Sequence, residues 1–545
     1  MPLYYVGILR MLYYKDKITS SKDVVSSDQI VNLKSSIVNQ NSLHLPAMGI
    51  RSILAKPFAA YVVKNQQKWA KSPYAYQQQI LQNLMNIGQN TVFGKDHGLT
   101  TETGYDAFKA QVPVRDYEGL KPYVDQVLAG ASDVMWQGKP AYFAKTSGTT
   151  SGSKYIPITT DSIPNHMNSA RDALLNYVHD TGNAKFLDGK LIFLSGSPVL
   201  TQSAGINTGR LSGIVNHHVP GYLRTNQLPS YDTNCIEDWE QKVDTIVDET
   251  IDQNMSLISG IPPWVQMYFD KIVERTGKPI KDTFPDFSLF VYGGVNFEPY
   301  RGKLYESIGK PIDSVETYPA SEGFIAYQDT QTEEGLLMLL NSGIFYEFIP
   351  ADEYFEENPT RLTIEDVQLG VNYAVIINSN AGLWGYSIGD TVKFVNKEPY
   401  RILVTGRIKH FISAFGEHVI GAEVENSMKA ALQKFSEVEI VEFTVAPQVN
   451  PKEGLPLHEW FIEFTNAPND LAAFEKELNL QLRNFNTYYD DLITGNVLRE
   501  LEVIAIKENG FIDYMKSQGK LGGQNKMPRL SNDRKIASEL TNYSI

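Results

Sequence analysis

The chain has 545 residues, with 49 Lys and Arg against 63 Asp and Glu, giving a formal charge of −14. That acidic balance, with no local basic patch to offset it, excludes the cationic surface that sequence-independent phosphate binding needs, so nucleic acid is not an expected partner. Hydrophobic residues at 42% and charged residues at 21% exclude wholesale disorder, and the length suits a large domain plus a smaller one.

Residues 1–47 hold a Ser/Asn/Val-rich tract without helical periodicity and read as an extension; Met48 is an equally good start for the domain. The apolar run Tyr4 to Tyr14 is interrupted by Arg10, is followed by Lys15 and Lys17, and has no small-residue cleavage site. No stretch reaches the roughly 18 to 20 apolar residues that cross a bilayer, so neither secretion nor membrane insertion is expected. The single cysteine, Cys235, cannot form an internal disulfide or a Cys-based zinc site, and a reducing, cytoplasmic compartment is the expectation.

A helix is predicted from Pro73, with Ser72 as its cap, to the stop at Gly88; Ile80, Leu81, Leu84 and Ile87 make its apolar stripe. A second is predicted over Ile236 to Ile251. Short apolar runs without alternation at Leu191 to Leu194, Leu289 to Tyr292, Phe345 to Ile349 and Tyr373 to Ile377 predict strands covered on both faces, hence an α/β architecture. From about residue 410 the pattern changes to helix (Glu423 to Lys434), strands (Val438 to Val445, Trp460 to Phe464), helix (Asp470 to Leu482) and strand (Leu501 to Ile506), which predicts a small α+β domain.

Six segments carry candidate chemistry. Between Tyr142 and Thr159, the hydroxyls of Thr146, Ser147, Thr149, Thr150, Ser151 and Ser153, the glycines Gly148 and Gly152 and the cation of Lys154 compose a phosphate cradle. It is not a Walker loop: the glycine spacing is one short, Tyr155 follows the lysine, and Tyr-Ile-Pro-Ile-Thr reads as extended chain. Gly293 and Gly294 end an apolar strand with tight backbone, suited to a flat ring or to an ordinary turn. In ETYPASEG, Glu322 stands at a strand end, where a carboxylate beside a phosphate cradle would hold Mg²⁺ and where a solvated loop residue is equally at home. Asp390, in YSIGDTVK, could accept both ribose hydroxyls of a nucleotide or stabilise its own turn. Gly406 and Arg407 open a candidate hinge at 406–410, and Lys526 sits on a late Gly-rich loop. Metal-hydrolase and serine-hydrolase patterns are absent: His458-Glu459 lacks a second histidine and no G-x-S-x-G elbow occurs.

The order of these segments resembles the adenylate-forming enzymes. The phrases FGKDHG (Phe93 to Gly98), PVRDYEGLKPY (Pro113 to Tyr123), the phosphate loop and FYEFIP (Phe345 to Pro350) are most similar to the Gretchen Hagen auxin-responsive family of acyl-acid amido synthetases. The resemblance spans Met48 to about Arg529. It implies a large ATP- and acid-binding domain at 48–405, a mobile small domain at 406–545, and two steps: ATP and Mg²⁺ convert a carboxylic acid to acyl-AMP, and an amino acid amine displaces AMP. It further implies that Thr146, Ser147 and Thr149 hold phosphates, Gly293, Gly294 and Tyr318 line adenine, Glu322 holds the metal, Asp390 the ribose, Arg407 the ribose or phosphate, and Lys526 the reacting carboxylate and α-phosphate. Lys409 stands where many adenylating enzymes have Asp, and no acyl-pocket residue is recognisable. A CoA ligase and a catalytically silent nucleotide-binding protein are the alternatives.

Overall fold

The computed structural model describes residues 49–545 apart from 150–151, 220–223, 237, 295–296, 409–410, 413–416, 418, 450, 495–496, 522–525 and 532. Its dominant feature is an eleven-stranded mixed sheet. Lys190–Phe193, Met255–Ser259 and Leu289–Gly293 pair in parallel, with Gln227–Leu228 beyond the first of them, and Asp313–Ala320 joins Leu289–Gly293 in parallel. From there the sheet turns antiparallel through Gly323–Tyr327, Leu336–Met338, Tyr400–Arg407, Tyr386–Lys397, Asn372–Ser379 and Ile344–Pro350.

The unbroken apolar runs are buried on both faces, as their composition requires. Leu191, Leu257 and Leu289 enter one core, while their neighbours Ile192, Ile258 and Phe290 enter another under the helices Pro262–Thr276 and Glu298–Ile308. The antiparallel half behaves likewise, with Val375 and Ile377 on one side and Ala374 and Ile376 on the other. The helix Pro73–Gly88 begins and ends as predicted and buries Ile80, Leu81, Leu84 and Met85. Ser72 occupies its N-cap position without a side-chain cap bond. The second predicted helix starts three residues later than expected, at Trp239, because the Asp238 carboxylate accepts from Gln241 N at 2.8 Å and sets the first turn there.

After Ile408 a separate core begins. Glu439–Gln448, Leu457–Asn466 and Glu502–Ile506 form a three-stranded sheet. Helices Gly421–Lys434 and Leu471–Phe485 cover one face through Val424, Met428, Phe474 and Leu478 around Trp460, and Phe511, Tyr514 and Leu540 cover the other around Phe461. This is the α+β arrangement predicted from the change in pattern.

Candidate active site

Leu289–Gly293 points its carboxyl end at a turn that only glycine can make. A Cβ on Gly293 would lie 2.4 Å from Thr317 O, on the neighbouring parallel strand. Gly294 has φ +80, and a Cβ there would stand 1.9 Å from Nζ of Lys526. Instead the lysine ammonium donates to Gly294 O at 2.6 Å. Desolvation of the ammonium lowers its pKa to about 8, with Asp390 pulling it up and Arg407 pushing it down.

Beside the turn, Tyr318 on Asp313–Ala320 donates its hydroxyl to Asp390 Oδ2 at 2.7 Å. Asp390 and Arg407 are cross-strand partners, so Arg407 Nε reaches Asp390 Oδ1 at 2.9 Å and its Nη2 donates to Ile388 O at 3.0 Å. The carboxylate raises the Arg407 pKa, and burial, then Asp390, raises that of Tyr318. Asp390 is therefore an acceptor held from two sides.

Glu322 lies in the tight turn between Asp313–Ala320 and Gly323–Tyr327 and accepts the Tyr386 hydroxyl on Oε1 at 3.2 Å. Desolvation raises its pKa; the positive charge of Lys154 opposes that shift, which ties the phosphate hairpin electrostatically to this carboxyl.

The predicted extended chain around the cradle is an antiparallel hairpin, Tyr142–Thr149 with Gly152–Ile158, in which Thr146 faces Lys154. The side chains of Ser147 and Thr149 lie outside the described residues. The Lys154 ammonium lies 5.8 Å from the centre of the Tyr117 ring, and the Tyr117 hydroxyl accepts from Tyr155 N at 2.9 Å. Two residues earlier, Arg115 N donates to Gly385 O and Arg115 O accepts from Ser387 N, both at 2.8 Å, which bridges the helix Tyr117–Leu128 to the strand carrying Tyr386. The hairpin and Glu322 are thus held by one run of contacts through Tyr117, Arg115 and Tyr386.

Gly293, Gly294, Tyr318, Glu322, Asp390, Arg407 and Lys526 converge from five segments, with Lys154 next to them. The hinge segment begins in the sheet: Gly406 pairs with Thr391, and Ile408 N donates to Gly389 O at 2.7 Å. Lys409 and residue 410 lie outside the described residues. Sequence reading missed Tyr117 and Tyr386 as supports. Both stand inside quoted phrases, PVRDYEGLKPY and YSIGDTVK, but neither Tyr117 between Asp116 and Glu118 nor Tyr386 before Ser387 carries a local sign of the distant partner that its hydroxyl finds.

Three family models match the chain: the GH3 family N-terminal domain over residues 62–227, the central domain over 337–407 and the C-terminal domain over 422–535. A jasmonoyl–L-amino acid synthetase, GH3.5, of Oryza sativa subsp. japonica is 21% identical over 548 residues, covering 84% of this chain and 92% of the relative. An indole-3-acetic acid-amido synthetase, GH3.3, of Arabidopsis thaliana is 21% identical over 543 residues, covering 83% and 88%. Among solved structures, AtGH3.15 acyl acid amido synthetase in complex with 2,4-DB superposes with a TM-score of 0.72 at 14% identity, covering 89% of this chain and 96% of that one. A 2-hydroxyisobutyryl-CoA ligase in the postadenylation state shares the fold more loosely, with a TM-score of 0.55 at 13% identity over 87% and 92%. The central-domain match ends at Arg407, where the large sheet has one more backbone bond to give, and the C-terminal match begins within the helix that opens the second core. Sequence matches across both units and a shared fold agree: the chain belongs to the GH3 family.

Proposed function

We propose that this protein is an ATP-dependent acyl-acid amido synthetase acting on a small carboxylic acid and an amino acid. In the first step a carboxylate oxygen attacks the α-phosphorus of ATP, the bond to pyrophosphate breaks, and acyl-AMP forms. In the second an amine nitrogen attacks the acyl carbon, the bond to AMP breaks, and the amine loses a proton. The observation that carries this reading is the meeting of Lys526 from the second unit with Gly294, Asp390 and Arg407 of the first.

Each residue has a task suited to its surroundings. Gly293 and Gly294 give a flat purine a backbone surface without Cβ atoms, and Tyr318 borders it. Asp390, aligned by Tyr318 and Arg407, accepts ribose hydroxyls. Lys154 and the hydroxyls of Thr146, Ser147 and Thr149 hold phosphates. Lys526 neutralises charge as two anions are brought together, the kind of preorganised contact that acts where charge develops. Glu322 fits Mg²⁺: it is a hard oxygen donor beside the phosphate hairpin, and this ion takes one or two carboxylates with substrate phosphates. When bound, Mg²⁺ would neutralise phosphate oxygens. Among the described residues no group of three or more His, Cys, Asp or Glu gathers to hold a metal.

The separate cores and the last rung of the large sheet at Ile408 support a mobile small domain with its hinge in 406–410. Pyrophosphate exchange across a panel of carboxylic acids, followed by mass analysis with mixed amino acids and, in parallel, CoA, tests the reading. An acid-dependent exchange and an amide product are expected. A CoA thioester in place of the amide makes the chain a CoA ligase, and nucleotide binding without exchange makes it a silent binder.

A further inference from the structure

The segment that carries Lys526 meets the first unit again beyond the lysine. Three residues beyond the lysine, Arg529 lies among groups of its own unit: Nε is 3.1 Å from Glu425, Nη1 pairs with Glu442 and donates to Phe443 O at 3.0 Å, and the guanidinium lies 4.6 Å from the centre of the Phe443 ring. The segment is also pinned along the strand Glu439–Gln448, by Val445 N to Arg529 O at 2.9 Å and Thr444 Oγ1 to Pro528 O at 2.7 Å. A side chain from the first unit enters this cluster. The hydroxyl of Tyr300, on the helix Glu298–Ile308, accepts from Arg529 Nη2 at 2.5 Å and donates to Glu442, with both carboxylate oxygens at 3.1 Å.

A hydroxyl can accept from the guanidinium and donate to the carboxylate at once, so the Tyr300 oxygen fits between Arg529 and Glu442. The rest of Tyr300 packs in the core of the first unit with Phe297 and Leu304. The same short segment is therefore tied to Gly294 through Lys526 and to Tyr300 through Arg529.

We propose that Tyr300 is a positioning residue, an inter-unit latch whose hydroxyl, bound between Arg529 and Glu442, holds the small unit in the orientation in which Lys526 reaches the Gly294 turn. The inference rests on the amido-synthetase reading, because it assigns the latched orientation to acyl-AMP formation. Aminolysis then proceeds with the latch open. Since Arg529 keeps Glu425 and Glu442 without the tyrosine, removing the hydroxyl loosens the contact between units and leaves the small unit's own cluster intact.

The test compares the wild-type enzyme with Tyr300→Phe in pyrophosphate exchange and in aminolysis of chemically supplied acyl-AMP, with thermal melting as the check on folding. Expected is a loss of about 10-fold in exchange, the scale of one hydrogen bond to a charged partner, with aminolysis unchanged or faster and the melting transition kept. Glu442→Gln, which retains an acceptor for the hydroxyl and removes the charge, should give a smaller loss of the same kind. Equal loss in both steps, or none in exchange, overturns the latch while the wild type still exchanges. Absence of exchange by the wild type across the acid panel overturns the amido-synthetase reading and the latch with it.

Discussion

Lys526 is the residue on which the step assignment turns. Its ammonium is placed on Gly294 O and lies within the fields of Asp390 and Arg407, so its removal should cost acyl-AMP formation about 10²- to 10³-fold, the scale of one preorganised electrostatic contact. Aminolysis of supplied acyl-AMP by Lys526→Ala should suffer much less, because amine attack develops its charge on the acyl carbonyl. The pH dependence has a definite sign. Crowding lowers the lysine pKa to about 8, the useful form is the cation, and kcat/KM for adenylation should therefore fall as pH rises through about 8. Lys526→Arg, whose charge persists, should flatten that limb even if its rate is low; an alkaline limb unmoved in the variant would assign it to another group. Asp390→Ala behaves differently. A ribose acceptor holds the nucleotide through both steps, so exchange and aminolysis should fall together, by about 10-fold or more for a contact to a charged group.

At the scale of elements, the turn after Leu289–Gly293 has the least room. Gly294→Ala would force a Cβ at φ +80 into the space of the Lys526 ammonium, combining a backbone cost of about 1 to 2 kcal/mol with loss of the lysine contact. Exchange should drop toward the level of Lys526→Ala, and the double variant should be little worse than either single one, a non-additivity that a double-mutant cycle reads directly. The antiparallel edge supplies a stability test. Glu347, within FYEFIP, is fully buried and takes Arg361 Nη2 at 2.7 Å, the Tyr105 hydroxyl at 3.0 Å and Asn378 Nδ2 at 2.9 Å. Asn378 in turn accepts from Gly385 N at 2.6 Å, next to Tyr386. Glu347→Ala leaves the Arg361 charge buried without that partner and should destabilise the large unit by about 3 to 5 kcal/mol in denaturant unfolding. These elements also mark what could be read beforehand. Strands such as Leu289–Gly293 were legible because a run buried on both faces is apolar along its length. Their order was not, since Leu336–Met338 inserts between Tyr400–Arg407 and Gly323–Tyr327, and pairing across such separations leaves no local pattern. The same reason hid Tyr300 and Arg529, 229 positions apart, whereas Gly293, Gly294, Asp390 and Lys526 stood out because glycine turns and charges beside apolar runs are local signals.

For the whole molecule, the question is where the folded body starts to depend on its N-terminal chain. Among the described residues no helix is long and apolar enough to cross a membrane, and the first helix, Ile50–Ala70, belongs to the main core. It is fastened at its very start: Gly49 N donates to Asp188 Oδ2 at 3.0 Å, and the single Ser52 hydroxyl proton is shared between the same carboxylate and Ala184 O, 3.0 Å away. Ala59, Val62 and Trp69 then pack inward against the large core. Deleting residues 1–47 removes none of these contacts and no segment assigned to the site, so exchange activity and the melting transition should both be kept. Deleting residues 1–71 should act in the opposite sense, because it strips buried apolar surface and leaves Asp188 without two of its donors. Losing even three large buried side chains, at about 1.5 to 3 kcal/mol each, rivals the net stability of a typical domain. The longer deletion should therefore abolish cooperative melting. A large loss of exchange on removing 1–47 alone, with melting unchanged, would show that the extension acts at the site itself.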